Sequence, residues 1–346
     1  MDIFLSRFFA VVPVQCLDFS ALAVHANSEE LQNAFINECC CVGDENDQKI
    51  LPSAEYRLAV AKRFAAALES AGLDVADTVY EFICRQVSQS AAPSTGSDEH
   101  VFKSFFLHGL RPPTTIPSDF LVDRRTAPRL VLKQRKQQLS NGTTGLAVWE
   151  AAHVLSELLV ATDGVDSLLS RHQRVAELGC GVGLLGLALL DTHPLLHYTF
   201  TDSNVDVLTA VAENLKLNSI NPRRFAVRHL DWCREESMVQ ADLVLGTYLC
   251  FDPAILAPLA RLLSKSRRFL ILNAVRNHDT HAQFLEELSR SGVEHCVERI
   301  VVTPDVSGVL LTRFPFVPRY AQCEFALIAS ADCATWCADL AQKISR

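Results

Sequence analysis

Beyond residue 142, short apolar runs alternate along the chain with longer segments of helical periodicity. The apolar runs predict β-strands at 174–178, 197–202, 225–230, 241–247 and 268–275. The periodic segments predict helices at 184–191, 204–217, 253–264 and 279–291. Strands that alternate with helices at this spacing form βαβ units, so the pattern predicts a parallel sheet.

Further elements are predicted before the first of these strands and after the last. A helix is predicted at about 146–159, before the first strand. Two further strands, Val297 to Val302 and Glu324 to Ala329, are expected to pair antiparallel at the sheet edge, and a last helix is expected from Ala331 to Ile344. The predicted fold class is therefore α/β, with a Rossmann-like seven-strand sheet.

The first part of the chain has a different pattern, in which apolar residues recur at helical spacing without strands between them. The clearest examples are Tyr56, Ala59, Val60, Phe64, Ala67 and Leu68. Breakers then accumulate from Ala92 to Asp98 and at Pro112, Pro113 and Pro117. We therefore predict a helical N-terminal domain over 1–90, a linker over 91–140 and the α/β domain over 141–346.

The charge and the apolar content of the chain indicate which classes of partner it can bind. The chain has 346 residues, of which 49% are apolar, enough for a substantial core. Asp and Glu number 40 against 32 Lys and Arg, for a formal charge of -8. Because nucleic-acid affinity depends largely on cationic contacts with phosphates, we expect no direct nucleic-acid partner. No apolar run approaches the ~18 residues of a membrane span, so we expect no membrane association.

The twelve cysteines are scattered, without a C-x-x-C pair or zinc spacing, so we predict no metal site. Reduced thiols are typical of the cytosol or nucleus. The apolar run from Phe8 to Val14 is a poor signal peptide, because Asp2 and a single Arg7 precede it. We expect a cytoplasmic protein.

The most informative motif is the glycine-rich turn after the first predicted strand, Glu177-Leu178-Gly179-Cys180-Gly181-Val182-Gly183. Residues 181–186 also match G-x-G-x-x-G, so a nicotinamide or flavin site is the alternative. A carboxylate at the end of this strand repels a diphosphate and attracts a cation. S-adenosylmethionine carries an ammonium and a sulfonium without a phosphate, so we predict that it is the cofactor. We expect Glu177 to face either its ammonium or the loop backbone.

Acidic and aromatic residues stand at the ends of the next two strands. Asp202 is placed to accept both ribose hydroxyls, although it could instead cap the following helix. Asp231 and Trp232 are placed to bind adenine, with packing of Trp232 in the core as the alternative. Trp149, after a Gly-Thr-Thr-Gly turn at 142–145, is predicted at the methionine end, and Cys180 and Thr247 complete the predicted cofactor site.

Four segments together resemble the elongation factor 2 lysine methyltransferase family, within the class I seven-strand enzymes that methylate non-histone proteins. They are Gly142 to Leu146 with Trp149, Glu177 to Gly179, Leu230 to Trp232, and Ala274 to Asn277. The resemblance covers about 140–300. It implies an S-adenosylmethionine-dependent protein-lysine N-methyltransferase of the cytosol that acts on elongation factor 2, and a helical N-terminal domain that recognises this substrate. We expect a monomer. Arg276 and Asn277 have two possible roles, contact with the substrate or support of the loop, and the sequence does not choose between them.

One position departs from the family pattern, which ends the fourth strand with D-x-x-Y. Here Tyr248 stands in place of the acid and Phe251 in place of the tyrosine, while Asp252 begins the next helix. The acceptor amine must be neutral, and deprotonating a free lysine at pH 7 costs roughly 4.6 kcal/mol. We predict that Tyr248, Phe251 and Asp252 line the lysine channel, with Tyr248 acting through its phenol oxygen or its ring face. The alternative is a catalytically weak or inactive binding protein with the methyltransferase fold.

Overall fold

The computed structural model describes residues 2–40, 51–90, 100–107, 129–137, 143–161, 169, 174–234, 240–305, 311, 313–318 and 323–344. Most of the predicted linker, as well as Gly142 and Cys41, lies outside these residues. The chain divides into two compact units. The first comprises Met1–Val131 and Asp305–Val317, and the second comprises Leu132–Pro304 and Pro318–Arg346.

The described helices of the first unit are α1 (Asp2–Phe9), α2 (Phe19–His25), α3 (Glu29–Cys39), α4 (Ala54–Ser70) and α5 (Asp77–Ser90). As the periodicity predicted, α4 buries Val60, Phe64 and Leu68 on one face. Phe64 packs on Phe35 of α3 with 4.6 Å between ring centroids. Ser53 accepts a hydrogen bond from the N–H of Tyr56, which caps the start of α4.

The first unit extends beyond the predicted helical domain of residues 1–90. Strand β1 (His100–Phe105) falls in the predicted linker and pairs with β2 (Leu130–Arg135), whose first two residues belong to this unit. Phe314, from the late segment 305–317, packs on Phe105 at 5.4 Å, and both rings are buried. Aromatic side chains from distant parts of the sequence therefore complete this core, which the local pattern alone does not indicate.

The second unit is built on a seven-strand sheet. Its strands are β3 (Arg174–Leu178), β4 (His197–Asp202), β5 (Phe225–His229), β6 (Leu243–Thr247), β7 (Phe269–Ala274), β8 (His295–Val302) and β9 (Cys323–Ser330). They lie in the order β5-β4-β3-β6-β7-β9-β8. The pairs up to β7 are parallel, and β9 runs antiparallel to both β7 and β8. The Rossmann-like sheet and its antiparallel edge are confirmed.

Helices pack against this sheet and bury its central strands. They are α6 (Glu150–Ala161), α7 (Leu184–Thr192), α8 (Val205–Leu217), α9 (Pro253–Ser264), α10 (His278–Arg290) and α11 (Ala334–Ile344). One core cluster joins Leu259 of α9 and Phe284 of α10 to Phe269 and Ile271 of β7. Because both faces of the central strands are covered, these strands read as continuous apolar runs.

Helix α6 begins at Glu150, so the predicted start near residue 146 is wrong. The main chain before it is engaged elsewhere. Leu146 O accepts from Arg135 N at 2.8 Å, and Val148 N donates to the Gln134 side chain at 3.2 Å. Backbone groups bonded to β2 cannot also form the first helical turn.

Strand order reverses beside β3, since the chain proceeds from β3 outward to β5 and then returns to place β6 on the other side of β3. Ligands of open α/β sheets bind at the carboxyl ends of the strands at such a switch point. None of the helices in the described ranges is long and apolar enough to cross a bilayer.

Candidate active site

The glycine-rich turn after β3 adopts a backbone that requires glycine. Gly179, Gly181 and Gly183 have φ values of 59°, 52° and 90°, in the left-handed region. A Cβ on Gly181 would lie 3.3 Å from Gly145 O, closer than ordinary packing allows. Cys180 N donates to Thr201 O at 2.9 Å, which fixes the turn to β4.

A cavity of about 310 Å³ opens above this turn at the carboxyl ends of the strands. It is lined by all the predicted cofactor residues, namely Trp149, Glu177, Gly179, Cys180, Gly181, Gly183, Asp202, Asp231, Trp232 and Thr247. Of the predicted lysine channel, Tyr248 and Phe251 also line it, and Asp252 is not among the lining residues. The volume is within the range of small-molecule sites.

The lining of the cavity is acidic. It carries three carboxyl groups, on Glu177, Asp202 and Asp231, and none of the described lining residues is Lys, Arg or His. A diphosphate would meet glycine N–H groups here without a cationic side chain and beside fixed negative charge. The lining therefore favours a cationic ligand over a dinucleotide.

The Glu177 side chain contacts the Tyr198 hydroxyl on β4 and the N–H of Gly186 in the first turn of α7. The side chain is buried, and Oε2 accepts from the Tyr198 hydroxyl at 2.9 Å. Burial raises the pKa of this carboxyl to about 8, and the hydrogen bonds from Tyr198 and from Gly186 N–H partly offset the rise. Glu177 therefore supports the start of α7, and Asp202 and Asp231 are the other carboxyl groups that line the cavity.

Asp202 lies at the end of β4 beside the glycine turn. Its Oδ1 accepts from Asn204 N at 3.0 Å, while burial raises its pKa and the N–H groups of Asn204, Gly181 and Ser203 lower it. Asn204, not Asp202, caps α8, because its Oδ1 accepts from Asp206 N and Val207 N. The competing explanation of Asp202 as a helix cap is thereby removed.

Asp231 and Trp232 follow β5 at the cavity edge. Asp231 Oδ1 accepts from Cys233 N at 3.0 Å, and its other oxygen lies 3.5 Å from Arg234 Nε. Trp232 packs against the core cluster and also lines the cavity, so its ring belongs to both the core and the cavity wall.

Three nearly parallel rings lead from the cavity to the surface, and we call Trp149, Tyr248 and Phe251 the aromatic ladder. The Trp149 and Tyr248 centroids lie 4.9 Å apart at 5°, and those of Tyr248 and Phe251 lie 6.3 Å apart at 10°. Trp149 Nε1 donates to Thr144 O at 2.8 Å. The outer ring, Phe251, is 55% exposed.

Tyr248 has φ of 59°, a left-handed conformation that is unusual for a non-glycine residue. Its N–H donates to Leu272 O at 2.9 Å. The buried side chain of Asn273 holds the next residues, because its Oδ1 accepts from Leu249 N at 2.8 Å. The sequence analysis assigned no role to Asn273. A polar residue inside the otherwise apolar run of β7 was the signal that could have revealed it.

Asp252 caps α9, and its Oδ1 accepts from Ala254 N at 2.9 Å. Asn277 has the same structural role at α10, where it accepts from Asp279 N and Thr280 N. Arg276 is different, because its guanidinium pairs with Glu150 and lies over the aromatic ladder. The structure thus gives Asn277 a role in loop structure, whereas Arg276 contacts the aromatic rings of the site.

Comparison with known proteins assigns this site to a family. Residues 127–291 match the family model described as lysine methyltransferase. This segment therefore resembles lysine methyltransferases. The match covers just under half of the chain, and by class it indicates a protein-lysine methyltransferase that uses S-adenosylmethionine.

Two curated relatives that match the chain are named protein-lysine N-methyltransferases. The chain is 27% identical over 265 residues to the protein-lysine N-methyltransferase EFM3 of Chaetomium thermophilum, a match that covers 70% of this chain and 74% of that one. The protein-lysine N-methyltransferase EEF2KMT of Mus musculus is 28% identical over 47% of this chain, and the chain spans 54% of that relative's length. Among solved structures, the apo S-adenosylmethionine-dependent methyltransferase SibL matches with a TM-score of 0.37 and 17% identity, over 52% of this chain and 55% of that one.

The residues present fit S-adenosylmethionine in this methyltransferase. The cavity offers carboxylates for its hydroxyl and amine groups, an indole at one end and a second indole at the other. At Gly181, which lines the cavity, an added Cβ would crowd Gly145 O at 3.3 Å, and glycine leaves the main chain open to a ligand.

Proposed function

We propose that this chain transfers methyl groups from S-adenosylmethionine to a lysine side chain of elongation factor 2. One observation carries the proposal: an acidic cavity, with no basic side chain among its described lining residues, opens onto a ladder of parallel aromatic rings. The first feature suits a cationic nucleoside and the second suits the apolar stem of a lysine.

On the cofactor side, each carboxylate has a separate task in this proposal. Asp202, beside the glycine turn, holds the ribose hydroxyls, and Asp231 with Trp232 holds the adenine. Glu177 fixes the turn through Tyr198 and the start of α7. Trp149 covers the methionine end. When bound, S-adenosylmethionine supplies a methyl group activated by its sulfonium.

On the acceptor side, the aromatic ladder guides the lysine from Phe251 at the surface toward Trp149 in the cavity. Ring faces bind the four-carbon stem and exclude water from the amine. Removing an ammonium from water lowers its pKa, which favours the neutral amine that methyl transfer needs. Alignment and desolvation then replace the strand-four acid of the family pattern.

Elongation factor 2 as the substrate is supported by the motif resemblance, from Gly142 to Asn277, and the relatives of the preceding section support a protein lysine as the acceptor. We further propose that the first unit recognises the substrate, since exposed acids such as Glu29 and Glu30 at the start of α3 suit a basic surface. We place this activity in the cytoplasm of the cell, with the chain acting as a monomer.

The test is to incubate the purified chain with methyl-labelled S-adenosylmethionine and purified elongation factor 2, and with a lysate that lacks the endogenous activity. We expect label on one lysine of elongation factor 2, located by mass spectrometry. An Asp202→Ala variant is the control that should not label it. Label on other proteins alone would remove the substrate claim, and no label at all would remove the activity.

A second candidate is a catalytically weak or inactive binding protein with the same cofactor site. Two observations favour it: Tyr248 stands where the family has an acid, and the nearby Asp252 carboxylate is engaged as a helix cap. This candidate binds S-adenosylhomocysteine as tightly as an enzyme would, but shows no turnover with any acceptor.

A further inference from the structure

Arg276, in the turn between β7 and α10, makes three contacts at the inner end of the aromatic ladder. Its guanidinium carbon lies 5.2 Å from the Trp149 ring centroid and 4.9 Å from that of Tyr248. Its Nη2 lies 2.9 Å from Glu150 Oε2. One cation therefore joins two rings and a carboxylate that come from two separate parts of the fold, the start of α6 and the end of β6.

This ion pair differs from the ordinary surface pairs of the same unit. The Glu150 side chain is 10% exposed and that of Arg276 is 29% exposed, whereas Arg299, which pairs with Glu324 at the sheet edge, is 69% exposed. Screening makes exposed pairs weak, and desolvation strengthens both the ion pair and the cation–π contacts.

Tyr248 needs such support from its surroundings. A left-handed backbone costs a non-glycine residue roughly 1–2 kcal/mol, and such conformations persist at functional sites when neighbouring groups hold them. Asn273 holds the backbone that follows Tyr248. The direction of the Tyr248 ring is set by the Trp149 face and by the guanidinium of Arg276.

We propose that Arg276, anchored by Glu150, is a positioning residue for the methyl-accepting lysine, because it holds the Trp149 and Tyr248 rings parallel as the wall on which the lysine stem lies. This inference rests on the proposed function for the identity of the acceptor. It assigns a role to two residues that do not themselves touch the reacting atoms. A misplacement of the wall by about 1 Å is enough to lower turnover about 100-fold.

The kinetic test compares Arg276→Met, Arg276→Lys and Glu150→Gln with the wild-type chain, using elongation factor 2 as acceptor. We expect kcat to fall about 100-fold in Arg276→Met, while the Kd for S-adenosylhomocysteine changes less than about threefold. Arg276→Lys keeps the charge but loses the planar guanidinium, so we expect kcat to fall about tenfold. Arg299→Met removes the matched guanidinium at the sheet edge and should leave kcat unchanged.

A second measurement does not depend on turnover. In a Trp232→Phe, Trp336→Phe background, Trp149 is the remaining tryptophan, and its fluorescence reports the stack directly. We expect Arg276→Met and Glu150→Gln to increase acrylamide quenching of Trp149, and Arg299→Met to have no effect.

The outcomes separate this inference from the proposed function. If wild-type chain does not methylate elongation factor 2, the substrate claim fails, and the quenching result alone decides the role of Arg276. Unchanged quenching of Trp149 in Arg276→Met overturns the inference. So does a kcat equal to wild type, or a loss of cofactor affinity and melting temperature in proportion to kcat, since the last result means that Arg276 only stabilises the fold.

Discussion

Tyr198 and Glu177, on the neighbouring strands β4 and β3, form a buried hydrogen bond of 2.9 Å between the phenol hydroxyl and Oε2. Burial raises the pKa of Glu177 from 4.5 to about 8, with the Tyr198 hydrogen bond acting in the opposite direction. In the folded chain this carboxyl therefore keeps its proton well above the pH at which the unfolded chain releases it.

The pKa of Glu177 predicts how stability depends on pH. Between pH 4.5 and about 8 the folded state binds more protons than the unfolded state, so this carboxyl makes the folded state progressively less stable as pH rises through that window. Glu177→Gln removes the titration. We expect its melting temperature to match wild type near pH 5 and to exceed it by roughly 5–10 °C at pH 8.5. Thermal denaturation from pH 5 to 9 measures this.

A matched control for that experiment is Glu286→Gln, which removes an exposed carboxylate of α10. Its melting curve should follow that of wild type at every pH. If the melting temperatures of Glu177→Gln and wild type change with pH in the same way from pH 5 to 9, the Glu177 carboxyl is ionised over that whole range, which contradicts the prediction.

Asp202 is predicted to carry much of the cofactor affinity. Asp202→Asn keeps the shape of the side chain but removes the charge that strengthens hydrogen bonds to hydroxyl groups. Hydrogen bonds to charged groups contribute about 1.5–3 kcal/mol, so we expect the Kd for S-adenosylhomocysteine to rise about 10- to 100-fold by calorimetry. Asp206→Asn, on the exposed first turn of α8, should bind like wild type. If Asp202→Asn binds S-adenosylhomocysteine with the wild-type Kd, a residue other than Asp202 holds the ribose.

Gly181 is predicted to be required for ligand binding beyond its effect on the backbone. In Gly181→Ala, the added Cβ meets Gly145 O at 3.3 Å in addition to the strain of a φ of 52°. Gly292→Ala is the matched control, because Gly292 has φ of 72° and nothing within 4 Å of the added Cβ. Both variants should lose about 1 kcal/mol of stability. Only Gly181→Ala should also lose binding of S-adenosylhomocysteine, and intact binding there would contradict the assigned cavity.

Tyr248 offers two routes to the acceptor, through its ring or its phenol oxygen, and two substitutions separate them. The stack with Trp149 favours the ring. We therefore expect Tyr248→Phe to keep kcat within about threefold of wild type, and Tyr248→Ala to lose about 100-fold because the wall is removed. Methylation kinetics with saturating cofactor measure both. If Tyr248→Phe falls as far as Tyr248→Ala, the hydroxyl contacts the amine.

The sequence alone determined the sheet, the glycine turn and the identity of most residues around the cavity. The reason is local: buried parallel strands produce continuous apolar runs, and the position of each acid at a strand end follows from the strand itself. The strand from 174 to 178 was predicted to the residue, and Asp202 and Asp231 fell at the expected edge.

Only the tertiary structure decided which of these groups serve the ligand and which serve the protein. Glu177 points to the Tyr198 hydroxyl and to Gly186 N–H, and Asp252 closes a helix end, because in each case the hydrogen-bond partners come from packed backbone that a linear pattern does not locate. The contact of Arg276 with Glu150 likewise joins residues 126 positions apart in sequence. Such contacts depend on how the chain crosses the sheet, and no local periodicity records them.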